Sequence, residues 1–360
     1  MKRIVMVLLV FATALTTLAQ TKRRTENLIV ITIDGARWQE VFKGADSTLF
    51  FSDKFGKSYA RKLKGKFWAP TAGQRREKLM PFVWGTIAKQ GRLYGNRQYD
   101  NKVSVKNLTN ISYPGYAEIF TGYPDPAIKS NDALQNPNSN VFEFINKQPE
   151  YQGKVASFAS WNRVENYLNK ERSGYLINGG YNPFPGNDLS PLQQTLNSLQ
   201  ALMDKGDHSR ADYITYLNAK EHLRLKRPKV MSIGFAWTDD AAHDGSYPLY
   251  LENIFCFDAM IADLWSYVQS LPEYKDKTSL LITVDHGRGE GDEWVSHGPS
   301  IAHANEMWFA VMGPDISARG EMKSSADIHQ HQFAQTMAHM LGLTFKSTKP
   351  TGMYISDLFK

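Results

Sequence analysis

"NLIVITIDGAR", residues 27–37, runs seven apolar, amide or β-branched residues into an Asp-Gly turn. A strand with one wet face alternates polar and apolar residues, whereas a continuous apolar run closed by turn residues reads as a strand buried on both faces. Four further runs share this character: "KVASFA" (154–159), "KVMSIGFAW" (229–237), "SLLITV" (279–284) and "MWFAVMG" (307–313). Helical periodicity lies between them, around 82–90, 139–147, 189–204, 209–224, 249–270 and 329–341. Strands alternating with helices predict an α/β fold, three layers deep, with a mostly parallel central sheet covered by helices on both faces. The Gly/Asn/Pro-rich stretch 173–191 is too irregular for core and is expected to be loop; residues 170–225 are expected to form a loop-rich insertion.

The 360 residues, 42% of them hydrophobic, suffice for a sizeable core. One cysteine, Cys256, cannot make an internal disulfide, so packing must supply the stability. Residues 1–19 carry Lys2 and Arg3, an apolar run from Ile4 to about Ala12, and small residues Thr17 and Ala19, the pattern of a signal peptide. The apolar run is short for a membrane span, so the expectation is cleavage near Ala19–Gln20 and a periplasmic or secreted chain, 20–360, forming one catalytic domain without a transmembrane segment. The formal charge of +6 falls to +4 without Lys2 and Arg3. The basic runs 21–24 and 73–78 lack interleaved aromatics and read as solvated faces, not as a nucleic-acid-binding surface.

In open α/β sheets, ligands bind outside the carboxyl ends of the strands. Those ends carry Asp34, then Asp239 and His243, then Asp285 and His286, with His297 in the following loop. Asp239 and His243 are four apart, so a helical turn would align them. Each taken alone has an ordinary structural explanation as a turn, ion pair or cap. Together they form a thiolate-free oxygen and nitrogen donor set, suited to catalytic zinc or a harder divalent ion. "NISYPGYAEIFTG" (110–122) adds a hydroxyl, Ser112, just before a Pro-Gly pair. There it is expected to cap a helix starting near Pro114.

The ordered set "VITIDGAR", "SYPGYAEIFTGYP", "TDDAAH", "VDHGRG" and "SHG" with "WFAVMGPD" resembles the alkaline phosphatase superfamily, in particular its nucleotide pyrophosphatase/phosphodiesterase branch. The resemblance spans about Leu28 to Leu343. It implies an α/β hydrolase with two divalent metal ions, expected to be Zn2+: Asp34, Asp285 and His286 hold one, and Asp239, His243 and His297 the other. Ser112 matches the family nucleophile. Two zinc ions against three aspartates leave net positive charge for an anionic substrate.

The chain departs from that branch at Gly115-Tyr116, where Asn-His is usual. Asn131 matches a phosphate-contacting asparagine, with Asn136 second. His303 competes with His297, which is preferred for the glycine after it. Arg163 falls where phosphomonoesterase relatives keep a Lys-x-Arg pair, but Trp161 takes the Lys place. His329, His331 and His339 are read as ordinary helix residues. Tyr116 breaks the sulfatase motif, and one arginine is little for a monoester dianion. The reading is therefore a phosphodiesterase or nucleotide pyrophosphatase acting on a small-molecule, glycan or lipid phosphate ester, with Trp161, Tyr116, Tyr181 and Phe184 as candidate stacking surfaces. A phosphomonoesterase or sulfatase-like hydrolase, and an inactive secreted binder of phosphorylated ligands, are the alternatives.

Overall fold

Seven residues, Asn27–Ile33 (β1), are all buried at the centre of an eight-stranded sheet. The structure, a computed structural model, describes residues 23–359 except Gly56 and 204–208. The expected signal peptide lies outside these residues. Among the described residues no helix is long and apolar enough to cross a membrane.

The other strands are Gly91–Tyr94 (β2), Asn101–Ser104 (β3), Val155–Ala159 (β4), Leu176–Gly179 (β5), Val230–Phe235 (β6), Thr278–Val284 (β7), Glu306–Met307 (β8), Phe309–Met312 (β9), Gly320–Glu321 (β10) and Ala326–His329 (β11). The large sheet runs β10-β2-β9-β7-β1-β6-β4-β5, and a small one runs β11-β3-β8. In the large sheet only β9 is antiparallel to its neighbours, β2 and β7. The mostly parallel α/β architecture is as the alternation implies. Its register matters for chemistry: Ile33 pairs with both Phe235 and Val284, so Asp34 and Asp285 leave the sheet level with each other, and the chain after Phe235 leaves beside them.

Several local expectations change. "KVMSIGFAW" stops as strand at Phe235, and Trp237 opens the helix Trp237–His243. "MWFAVMG" splits at Trp308 into β8 of the small sheet and β9 of the large one. The buried Trp308 indole donates to the Ala36 carbonyl at 2.9 Å, across the point where the chain changes sheets. The stretch 173–191 is not all loop: Leu176–Gly179 pairs with β4 at the sheet edge. The helices expected around 189–204 and 209–224 are present as Pro191–Leu202 and Asp212–Lys226, and Leu196, Ala211 and Ile214 form a small apolar cluster there, so the stretch 170–225 is less loop-rich than expected. The missed strands have two to four residues, too few for a period of two to show. His329 ends a strand and His331 lies in a 3-10 turn; only His339 is in the last helix, Phe333–Met340.

Candidate active site

The site sits on the carboxyl ends of β1, β6 and β7. Asp34, Asp285 and His286 are almost wholly buried, and their donor atoms lie within 4.8 Å of one another. His286 Nε2 is 3.4 Å from Asp34 Oδ1 and 3.3 Å from Asp285 Oδ2. Each of these side chains is oriented from behind. The Tyr116 hydroxyl donates to Asp34 Oδ2 at 3.2 Å, the Gly35 amide to Asp285 Oδ1 at 3.1 Å, and His286 Nδ1–H to the Gly287 carbonyl at 2.9 Å. That last bond leaves the His286 Nε2 lone pair facing the carboxylates. Asp285 Oδ2 is buried with no hydrogen-bond partner.

Burial, and then the Asp239 charge, push the Asp34 carboxyl up to about 7. Burial, then Asp34 and Asp239, push Asp285 well up, while burial drops His286 to about 4. Two buried carboxylates, an orphaned oxygen and a neutral imidazole are what a divalent cation would satisfy, so these residues fit the metal the donor set implies.

The second group is more open. His243 Nε2 lies 3.1 Å from both Asp239 Oδ2 and His297 Nε2. His297 also stacks on the His286 ring at 3.9 Å, which joins the two groups. His297 Nδ1–H donates to the Asn110 carbonyl at 3.0 Å, which leaves the lone pair on Nε2. Here the chain supplies its own cation. Arg288, buried, forms an ion pair with Asp239 and donates to the Trp294 carbonyl at 2.8 Å and the Val295 carbonyl. Burial alone would raise Asp239, but Arg288, His243 and His297 outweigh it and hold the carboxyl well below its ordinary value. The hydrogen bond to Asp239 raises His243. Burial, with His286, lowers His297 to about 3.

The helix carrying Asp239 and His243 has no cap of its own at Ala236. Asp212, from another helix, serves instead, accepting from the Ala236 amide at 3.0 Å and the Trp237 amide at 3.2 Å. Fully buried Trp294 packs edge-on against Phe55, Tyr247 and Tyr250 and fixes the loop leading to His297. Gly35 is required where it is: at φ 58, a Cβ would meet Asp239 Oδ1 at 2.7 Å and Arg288 Nη1 at 2.8 Å.

Ser112 opens the helix Ser112–Thr121 but does not cap it; the cap position is Ile111, with no side-chain bond. Its buried hydroxyl instead lies 3.2 Å from His286 Nε2 and 3.4 Å from Asp34 Oδ1. A small cavity of about 120 Å³ borders Asp34, Ser112, Asp239, His243 and His297, with Asn131, Trp161, Ser209, Ala236 and Asp240 completing its wall. The Tyr113 amide donates to Asn131 Oδ1 at 2.9 Å, which fixes the amide orientation and leaves the Asn131 NH2 as a donor. The same bond takes one first-turn helix amide away from any anion. Pro114 has none to give, and the Gly115 amide is bonded to Ile111 O.

Arg163 does not line the cavity; its Nε donates to the Asn131 carbonyl at 2.9 Å, so it braces Asn131 rather than reaching the site. Tyr116 and Phe184 are buried among other rings and offer no stacking face, whereas Trp161 does border the cavity. His303 pairs with Glu306 at 3.0 Å, and Asn136 is buried against Tyr167, both outside the cavity.

Comparison with solved structures follows from this arrangement. The crystal structure of alkaline phosphatase PafA superposes with a TM-score of 0.62 over 94% of this chain and 99% of that one, at 9% identity. The chain has the alkaline phosphatase fold. Murine ectonucleotide pyrophosphatase/phosphodiesterase 5, solved with AMP, matches at a TM-score of 0.57 and 12% identity, covering 93% of this chain and 100% of that one. A protein solved with its substrate D-glucosamine-2-N,6-O-disulfate matches at 0.59 and 14%, covering 92% and 79%. No protein-family model and no curated protein matches the sequence. Proteins of this fold thus include ones solved with a nucleotide and with a sulfated sugar, and the choice among chemistries rests on this chain's own residues.

Two alkaline phosphatase-fold residues of this chain escaped the sequence reading. Arg288 stands inside the quoted "VDHGRG", and its charge two residues from a buried pair was the available signal. Tyr116 stands in the sequence as a departure and a candidate stacking surface, and nothing there marks it as a partner of Asp34.

Proposed function

We propose that the chain is an exported, metal-dependent hydrolase of phosphate esters that favours diesters and uses Ser112 as nucleophile. Asp34, Asp285 and His286 would hold one divalent ion and Asp239, His243 and His297 a second, with zinc favoured by the nitrogen and oxygen donors. Mature residues 20–360 would form the single catalytic domain. The observation that carries this reading is the buried Ser112 hydroxyl, turned away from capping and toward His286 Nε2 and Asp34 Oδ1.

Divalent ions bound there supply Lewis-acid charge that lowers the pKa of an oxygen nucleophile and stabilises a departing one. The chain does the rest. Ser112 Oγ forms the bond to phosphorus as the bond to one alkoxide breaks, its proton ending on the departing alcohol by way of solvent, and gives a seryl phosphodiester that keeps the second ester group. Water then cleaves the Ser112 Oγ–phosphorus bond, restoring the hydroxyl and releasing a monoester. The Asn131 NH2 is positioned to donate to a phosphate oxygen, and Trp161 gives a leaving group an apolar surface. Among the described residues no Lys or Arg lines the cavity, and Arg163 is spent on the Asn131 carbonyl. A monoester's second negative charge therefore has no side-chain cation to meet it, whereas a diester carries only one charge.

The test is hydrolysis of nitrophenyl phosphate, bis-nitrophenyl phosphate and nitrophenyl sulfate, with bound metal quantified, alongside acid quench and intact mass on a slow diester. The expected result is preference for the diester and a phosphoryl adduct on the Ser112 peptide. Ser112→Ala should lose most activity with metal retained, and Ser112→Thr should keep some. A Ser112→Ala variant turning over diesters at the wild-type rate would overturn the nucleophile, and faster monoester or sulfate cleavage would overturn the substrate class.

A further inference from the structure

The loop that delivers Ser112 is tied down by groups the mechanism above does not use. Glu118 lies in the Ser112–Thr121 helix, wholly buried, and among the described residues it faces His331 Nδ1 at 4.0 Å and no lysine or arginine. Its carboxylate accepts from the Lys106 amide at 3.1 Å, the Asn107 amide at 2.8 Å and the Asn107 side-chain NH2 at 2.9 Å. That bond fixes which way the Asn107 amide faces. Asn107 Oδ1 then accepts from the Thr109 amide at 3.1 Å, the Thr109 hydroxyl at 2.8 Å and the Asn110 amide at 3.1 Å.

The turn so formed holds Asn110 at φ 48, in the left-handed region. The Asn110 side-chain oxygen is buried without a partner. Asn110 therefore contributes its backbone: a left-handed turn that asparagine tolerates, and a carbonyl that accepts His297 Nδ1–H at 3.0 Å.

We propose that Asn107, locked by Glu118, is a positioning residue that fixes the Asn110 carbonyl and through it the ligating nitrogen of His297. One strap, residues 105–111, would then set both the nucleophile and the more exposed half of the metal centre. A histidine ligand whose second nitrogen is held is oriented and made a better donor, and losing such a partner typically costs 10–100-fold in metal affinity. The strap thus makes the second ion site dependent on the conformation of the nucleophile loop. This rests on the two-ion reading given above.

The experiment strips the purified protein of metal and titrates zinc back against a competing chromophoric chelator. Wild type should show two binding steps. Asn107→Ala and Asn110→Val should weaken the second by about 10–100-fold and leave the first unchanged. Asn110→Gly keeps the left-handed turn and the carbonyl, so its two steps should match wild type. Asn107→Ser, whose hydroxyl can still accept from the turn amides, should recover part of the loss.

A folded Asn107→Ala variant with both wild-type affinities would overturn the strap. If Asn107→Ala does not fold, equal second-step affinities in Asn110→Gly and Asn110→Val would overturn it as well, because a side chain and not the turn would then matter. Wild-type protein that binds no zinc would overturn the two-ion reading itself.

Discussion

The two halves of the candidate centre face the same cavity and are built on opposite principles. Asp34, Asp285 and His286 stand at 0–4% exposure on strand ends, and their side chains bond to Tyr116, Ser112, the Gly35 amide and the Gly287 carbonyl, with no arginine or lysine among these partners. The His243 side chain is 48% exposed, on a short helix, and its partner Asp239 is neutralised by buried Arg288. The first half stores uncompensated negative charge, which only a proton or a cation can relieve. In the second half the chain carries its own counter-charge. A buried carboxylate without a cation is costly, so the first half should bind its ion tightly, and the second, already paired, more weakly.

The comparison can be broken most directly at Asp285. Asp285→Ala removes a ligand with an orphaned oxygen, and the tightly held ion should be lost, with more than about 100-fold weaker binding and activity falling at least as far. Elemental analysis of the purified variant checks this. Retention of that ion would show that the buried half is not the tight one.

Arg288→Met tests the other side. It leaves Asp239, 14% exposed, with only His243 and His297 facing it in the stripped protein, at a cost near the low end of about 3–5 kcal/mol. At roughly 2–4 °C per kcal/mol, the stripped variant should melt on the order of 10 °C lower. Zinc relieves much of this, so the gap between loaded and stripped melting temperatures should widen relative to wild type. An unchanged gap would mean that Arg288 only braces the Trp294 and Val295 carbonyls.

Proton linkage gives a smaller effect. Asp34 is pushed up to about 7 and Asp285 well above its ordinary value, so both bind protons more tightly folded than unfolded. The Asp34 contribution is fully present below the ordinary carboxyl pKa and is lost as pH rises through about 7, and that of Asp285 is lost in the same direction. The stripped protein should therefore lose this stabilisation between pH 5 and pH 8. Buried His286 and His297, lowered to about 4 and about 3, pull the other way but are neutral in both stripped and loaded protein, so the difference between the two forms reads the carboxylates. Zinc-loaded protein, whose carboxylates are ligated, lacks this component, and the gap between the two should grow by about 5 °C or more over that range. Glu118, Asp212 and Asp258, each also raised to about 7 by burial, act alike in both forms and cancel in the difference.

His243→Ala is the mildest change. The side chain is half exposed, so stability should move by no more than about 0.5 kcal/mol, measured by denaturant melt. Second-step zinc affinity should fall while the first step holds.

Much of this centre was legible before folding, and for a specific reason. Strand ends are marked in sequence by a buried apolar run that stops, and the residue after the stop is the one delivered to the ligand crevice. Asp34 and Asp285 follow β1 and β7 directly, and the parallel register sets them level. Asp239 and His243 follow the same logic through one helical turn. Arg163 was misread because its charge could be counted but its direction could not: the guanidinium turns to a backbone carbonyl 32 residues away. The cap expected of Ser112 is not made: the helix begins at Ser112 itself with Ile111 in the cap position, and the hydroxyl turns toward His286 Nε2 and Asp34 Oδ1.

The sequence by itself determined the strand order of chemistry: which donors exist, that they end strands, and that no thiolate is among them. Only the tertiary structure decided which carboxylates carry an uncompensated charge and what aims each ligand. Arg288 meets Asp239 across 49 residues, Asn110 meets His297 across 187, and Tyr116 meets Asp34 across 82. Pattern and periodicity are local properties of a chain, whereas desolvation and pairing depend on distance through space, and the fold alone sets those distances.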